Sequence, residues 1–262
     1  MPIDTALVGA LHVDFIGRQD LTEEDPLHHT LFQTSTIDAL LDGNYDGDIS
    51  FAELGAHGDF GLGTFDALDG EMVALDGNYY QIRADGRAYP VDGQKKTPFA
   101  VVTFFEPALS STLGAINLAA LCERVDRLAE DASVCCGVRV DGYFGYVRTR
   151  SVPRQHKPYP PLVEVVKNQP VFELYDVRGS LVGFRFPDYA QGLNVAGYHF
   201  HFITADRTAG GHVLECRIAE GELRLDREAD LRVELPSDVS LPTPGQTASR
   251  RETIDRIEKG NR

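Results

Sequence analysis

The sequence predicts an α+β (mixed α/β) protein built from two mixed β-sheets, with helices on their outer sides. Three observations lead there. The second half is a succession of β-rich runs, at 171–177, 179–187, 197–204, 211–218, 221–226 and 231–235. The first half carries a hairpin signal at 71–83 and a long apolar run at 99–105. Between them, 113–131 has the clearest helical spacing in the chain.

Taken in order, residues 1–35 are mixed and mostly polar, as an extended arm would be. A short helix follows at 36–41, with Ser35 or Thr36 as its cap. The segment EMVALDGNYYQIR sets two β-rich runs around Asp76, Gly77 and Asn78, a tight-turn signature. FAVVTFF, 99–105, is β-branched and aromatic, as a buried strand should be. In 113–131 the apolar positions Leu113, Ile116, Leu118, Leu121, Val125 and Leu128 fall on one helix face. Strand-like residues 134–148 come next, and Tyr159, Pro160 and Pro161 lead into a short helix near 162–167. A last amphipathic stretch, 250–259, puts Ile254 and Ile257 on one side. LDGEMVALDGNYYQI and VRGSLVGFRFPDY echo one another, which fits either a diverged internal duplication or generic hairpin chemistry. A division into an N-terminal mixed-sheet domain, 1–165, and a C-terminal β-rich domain, 166–262, follows from this pattern.

Composition narrows the function. With 262 residues the chain can bury a sizeable core. A net charge of −15 argues against nucleic acid, whose phosphates need clustered cations. A small anionic substrate would need a locally positive site. No apolar run reaches 18 residues, so no membrane helix is expected. The early apolar run has no basic residues before it, so a secretory signal is not expected either. Cys122, Cys135, Cys136 and Cys216 form no CxxC pair, which fits reduced thiols in the cytoplasm.

The richest stretch is GYHFHFITADRTAGGHVLECRIA, 197–219. Strand alternation turns His199 and His201 one way and Tyr198, Phe200 and Phe202 the other. TADRTAGG is turn-rich, and GHVLECRI resumes a strand. If His212 pairs across from His201, three imidazoles converge on one face, a donor set that suits zinc or another divalent first-row metal. Cys216 shares the expected face with His212, as a fourth ligand or a buried neighbour. DGNYDGDISFAE, 42–53, fits a calcium-loop pattern through Asp42, Asn44, Asp46, Asp48, Ser50 and Glu53. The glycine-rich LGAHGDFGLG that follows is a poor exiting helix, so a solvated loop is the preferred reading there.

HFHFITADRTAGGHV, GDFGLGTFDALDGEM (58–72) and VRTRSVPRQHKPYPPL (147–162) together resemble the bacterial α-acetolactate decarboxylases. The resemblance runs from about Asp38 to the last helix. It implies a zinc-dependent conversion of (S)-2-acetolactate to (R)-acetoin and carbon dioxide, on the acetoin and butanediol route, with no organic cofactor. Zinc would be the Lewis-acid sink for the enediolate left when carbon dioxide departs. By the same resemblance His199, His201 and His212 bind the metal, and Glu71 of the DGE motif lines the site. Arg150 matches a family arginine, suited to a substrate carboxylate or enediolate oxygen. Glu258, or else Glu252, matches a C-terminal carboxylate at the metal centre. Thr64 is a candidate for hydrogen-bonding substrate or for forming a turn. The partner expected is the small molecule alone, with no nucleic acid or membrane, and the assembly a homodimer. Two rival readings remain on the residues: another three-histidine metalloenzyme, such as a cupin-like oxygenase or a metal hydrolase, and a calcium-binding module built on 42–53.

Overall fold

The computed structural model describes residues 12–16, 29–236, 250–254 and 257. Two large sheets face each other. The eight-stranded sheet runs in the order His12–Ile16, Asp230–Glu234, Thr30–Thr34, Ala100–Thr103, Phe60–Thr64, Glu71–Leu75, Asn78–Ile82 and Ala88–Pro90. Its first three strands are parallel and the others antiparallel, so this sheet is mixed. The second sheet is antiparallel throughout, in the order Leu109–Leu113, Gly210–Glu228, Cys135–Arg150, Val171–Phe186 and Gly197–Thr204. Gly197–Thr204 also pairs back onto Gly210–Glu228, from His201↔His212 to Ile203↔Gly210, which closes four strands into a curled ring.

The core between the sheets is apolar on both sides. Phe60, Leu62, Val73 and Val101 of one sheet meet Val182, Phe184, Phe186 and Ile203 of the other. Outside the second sheet, Phe144, Phe200 and Phe202 pack with Leu121, Val125 and Ala129 of the helix Leu118–Ala129. Outside the first, Phe32, Met72 and Val102 are covered by Ile49, Phe51 and Leu54. The helices Leu118–Ala129 and Phe51–Leu54 therefore lie on the outer sides, as expected.

Local chemistry explains the boundaries. Thr36, not Ser35, caps the helix Ile37–Leu41, its Oγ1 accepting from the Ala39 amide at 3.1 Å. Asp76 and Gly77, at φ of 53° and 74°, make the two-residue turn between Glu71–Leu75 and Asn78–Ile82. The long helix begins later than its apolar spacing suggests. Leu113 and Ile116 belong to strands, and Asn117 caps Leu118–Ala129 with its Oδ1 on the Ala120 amide.

Two pairs of expected strands are each one strand. Residues 171–177 and 179–187 form Val171–Phe186, and 211–218 and 221–226 lie within Gly210–Glu228. Glycines that open the second run of each pair lie side by side, Gly179 and Gly221 both opposite Gly142. A Cβ on Gly142 would stand 2.3 Å from the Glu220 carbonyl oxygen, so the row of glycines allows the strands to bend tightly without ending. The boundary between 165 and 166 falls inside this sheet, between Cys135–Arg150 and Val171–Phe186, which pair from Cys136↔Arg185 to Arg150↔Val171.

Candidate active site

The sheet register brings the site together. His212 lies directly opposite His201 on one side and Arg150 on the other. On the facing sheet, Thr64 lies opposite Glu71. These five side chains and that of His199 turn into the space between the sheets, and His199, His201 and His212 are buried. Their ring centroids are 4.9–5.4 Å apart, and one nitrogen from each ring lies within 4.8 Å of the others. His199 Nε2 and His212 Nδ1 face each other at 3.1 Å.

His201 supports a metal assignment on its own geometry. Its Nδ1 donates to the Met72 carbonyl at 2.7 Å, which leaves the lone pair on Nε2. That buried Nε2 makes no hydrogen bond among the described residues and stands 3.6 Å from Glu71 Oε2. Burial first, then the Arg150 guanidinium, pushes His199 down to about 3. Burial, then His199, then Arg150 hold His201 well below the usual histidine range. Both rings are thus neutral near pH 7, the state a metal requires. Tetrahedral zinc would set ligand nitrogens about 3.3 Å apart, close to the His199–His212 spacing.

Arg150 and Glu71 form a buried pair, Nη1 to Oε1 at 3.0 Å. Glu71 thereby stands between a guanidinium and an imidazole. Thr64 Oγ1 donates to the Gly70 carbonyl at 2.7 Å, so it braces the turn before Glu71 and also lines the cavity. The rest of that cavity is apolar: Ile37, Leu40, Leu68, Phe99, Val152 and Leu162. Sequence reading missed this wall and the Met72 carbonyl. The wall residues lie in short segments whose apolar pattern reads only as core, and a backbone acceptor leaves no trace in residue type.

Other expectations need revision. Cys216 is not beside His212. Leu214 is skipped in the pairing, where Thr149↔Val213 is followed by Arg148↔Glu215, and this bulge turns Cys216 to the opposite face with Val213. Burial there pushes its thiol up to about 12, which disfavours the thiolate a metal would need. Of the calcium-loop carboxylates, Asp42 pairs with Arg250, and Asp46 accepts from Lys157 and Tyr159. Glu53 accepts from Ser50 within a capping box. These partners engage three of the loop's acidic residues. Glu252 is exposed, and Glu258 lies outside the described residues.

A buried set of three imidazoles, with His199 and His201 neutral, beside a guanidinium–carboxylate pair and walled by apolar side chains, defines an enzyme centre for a small polar molecule. Comparison then supplies the family. Residues 31–242 match the family model described as alpha-acetolactate decarboxylase. The alpha-acetolactate decarboxylase of Methylococcus capsulatus is 51% identical over 209 residues, 79% of this chain and 80% of that protein. That of Methanosarcina mazei is 49% identical over 230 residues, 87% of this chain and 80% of that protein. The crystal structure of alpha-acetolactate decarboxylase from Bacillus subtilis strain 168 matches with a TM-score of 0.83 at 36% identity, over 88% of this chain and 100% of that one. The chain belongs to the alpha-acetolactate decarboxylase family and is a carboxy-lyase. No helix among the described residues is long and apolar enough to cross a membrane.

Proposed function

We propose that the chain converts (S)-2-acetolactate to (R)-acetoin and carbon dioxide, with a divalent first-row metal held by His199, His201 and His212 and no organic cofactor. Zinc suits the all-nitrogen donor set. The observation that carries this reading is the convergence of three buried imidazole nitrogens within 4.8 Å, next to the Arg150–Glu71 pair. When bound, such an ion supplies a Lewis acid for the carbonyl that must take up the electron pair released with carbon dioxide.

The chain's own groups do the remaining work. Arg150 offers a planar fork of donors, suited to the substrate carboxylate or to the oxygen on which charge develops. Glu71 holds that guanidinium in place and, among the described residues, stands 3.6 Å from His201, positioned to carry the proton that replaces the lost carboxylate. Thr64 presents a hydroxyl oxygen that accepts from a substrate hydroxyl. The apolar wall excludes water and receives the methyl groups. Glu258 is our choice for the second carboxylate over the exposed Glu252. We take the working unit to be a homodimer.

Acetoin formation from racemic acetolactate, with metal content measured on the same preparation, tests the reading. Wild type should form acetoin and hold about one metal per chain. His199→Ala, His201→Ala and His212→Ala should lose both. Activity persisting in a fully chelated sample would overturn the metal requirement, and absence of acetoin would overturn the reaction.

A further inference from the structure

Residues 250–254 and Ile257 are fastened across the back of the cavity wall. Arg250 Nη2 contacts both oxygens of Asp42, at 3.0 and 2.9 Å, and its Nη1 stands 3.4 Å from Asp38 Oδ2 and from the Asp38 carbonyl. Asp38 and Asp42 are one turn apart, at the two ends of the helix Ile37–Leu41. The Asp38 carboxyl is fully buried, and burial raises its pKa while Arg250 opposes that shift. Without a cation two carboxylates at this spacing repel each other. Beyond Arg250, Ile254 and Ile257 are buried in one cluster with Ile37, Leu40, Leu68, Phe99, Val152 and Leu162. Those six residues are the apolar wall of the reaction cavity. A second tie, Arg251 to Asp188 at 2.8 Å, joins the segment to the turn leading to Gly192 and Leu193. The carbonyls of that pair receive the first amides of the same helix.

We propose that Arg250 is a positioning residue: by bridging Asp38 and Asp42 it seats Ile254 and Ile257 against the helix Ile37–Leu41 and so fixes the apolar wall that receives the substrate. The inference rests on the proposed reaction for its substrate, but not for its mechanics. Ile37 and Leu40 face the cavity from a helix of only five residues, too short to hold its place unaided. The wall contacts substrate and transition state alike, so loosening it weakens binding more than chemistry.

In the full-length, metal-loaded chain, Arg250→Ala should raise KM for acetolactate roughly tenfold, with a smaller change in kcat and unchanged metal content. Arg250→Lys keeps the charge without the fork and should recover part of the loss. Asp38→Asn combined with Arg250→Ala should be milder than Arg250→Ala alone, since the single change strands a buried carboxylate. Amide hydrogen exchange at 37–41, measured without substrate, should speed up in Arg250→Ala. If wild type made no acetoin, the reaction would be wrong while the exchange result would still decide the clamp. Unchanged KM together with unchanged exchange at 37–41 overturns the proposal, whatever happens to Tm.

Discussion

Glu71 pairs with Arg150 Nη1 at 3.0 Å and stands 3.6 Å from His201 Nε2, and all three side chains are buried. Arg150→Ala would leave the Glu71 carboxylate buried without its cation, a loss of about 3–5 kcal/mol of stability. Arg150→Lys retains the charge but not the fork, so it should spare most of that stability and still lower activity about tenfold or more. Urea unfolding and acetoin assays on the two variants separate these effects, and equal stability losses would refute the pairing argument. At the same scale, Cys216→Ala should leave metal content unchanged because its side chain is on the far face of the strand. Single residues show why the histidines were correctly placed on one face and Cys216 was not. His199 and His201 are two apart on an unbroken strand, so alternation holds. Between His212 and Cys216 the bulge at Leu214 shifts the count by one, and residue type gives no sign of it.

Elements position the ligands through backbone approach. His212 follows Gly210 and Gly211, and Gly211 has φ of 140°, with a Cβ there falling 2.5 Å from the Arg150 carbonyl oxygen. Gly211→Ala should push the two strands apart and displace His212, lowering metal affinity about 10- to 100-fold, the scale of losing a contact that supports a ligand. Gly77→Ala is its control. At φ of 74° but with nothing within 4 Å of the added Cβ, it should cost about 1 kcal/mol and leave metal affinity intact. Equilibrium metal competition with a chelator reads both, and equal affinities for the two variants would sink the close-approach argument. The hairpin at 71–82 was legible because Asp-Gly dictates its turn locally. The long bent strands were not, since a glycine that ends a strand and one that lets it bend look alike until its neighbours across the sheet are known. The helix Leu118–Ala129 was found, but its start was misplaced because Leu113 and Ile116 continue the apolar spacing from strands into the helix.

At the scale of the whole molecule, the site exists only because two sheets meet. Thr64 and Glu71 come from one sheet, Arg150 and the histidines from the other, and spacing along the chain carries no record of that meeting. Away from the site, the same junction holds a buried acid. Glu228 ends the longest strand of one sheet, and its Oε2 accepts from Oγ1 of Thr103, the last residue of a strand in the other. It is fully buried, and burial first, then the Asp226 carboxylate, raises its pKa well above the usual range. A carboxyl whose folded pKa exceeds its unfolded one is held protonated by folding. Its stabilising effect is complete below the unfolded value, about 4.3, and is lost as pH climbs through the folded value. Glu228→Gln keeps the shape and a neutral amide in place of the acid, while Asp226 titrates in both proteins. The variant should therefore match wild type in Tm near about pH 4 and gain on it steadily toward about pH 8. Parallel Tm curves across that range would mean that Glu228 does not carry its proton into the folded junction.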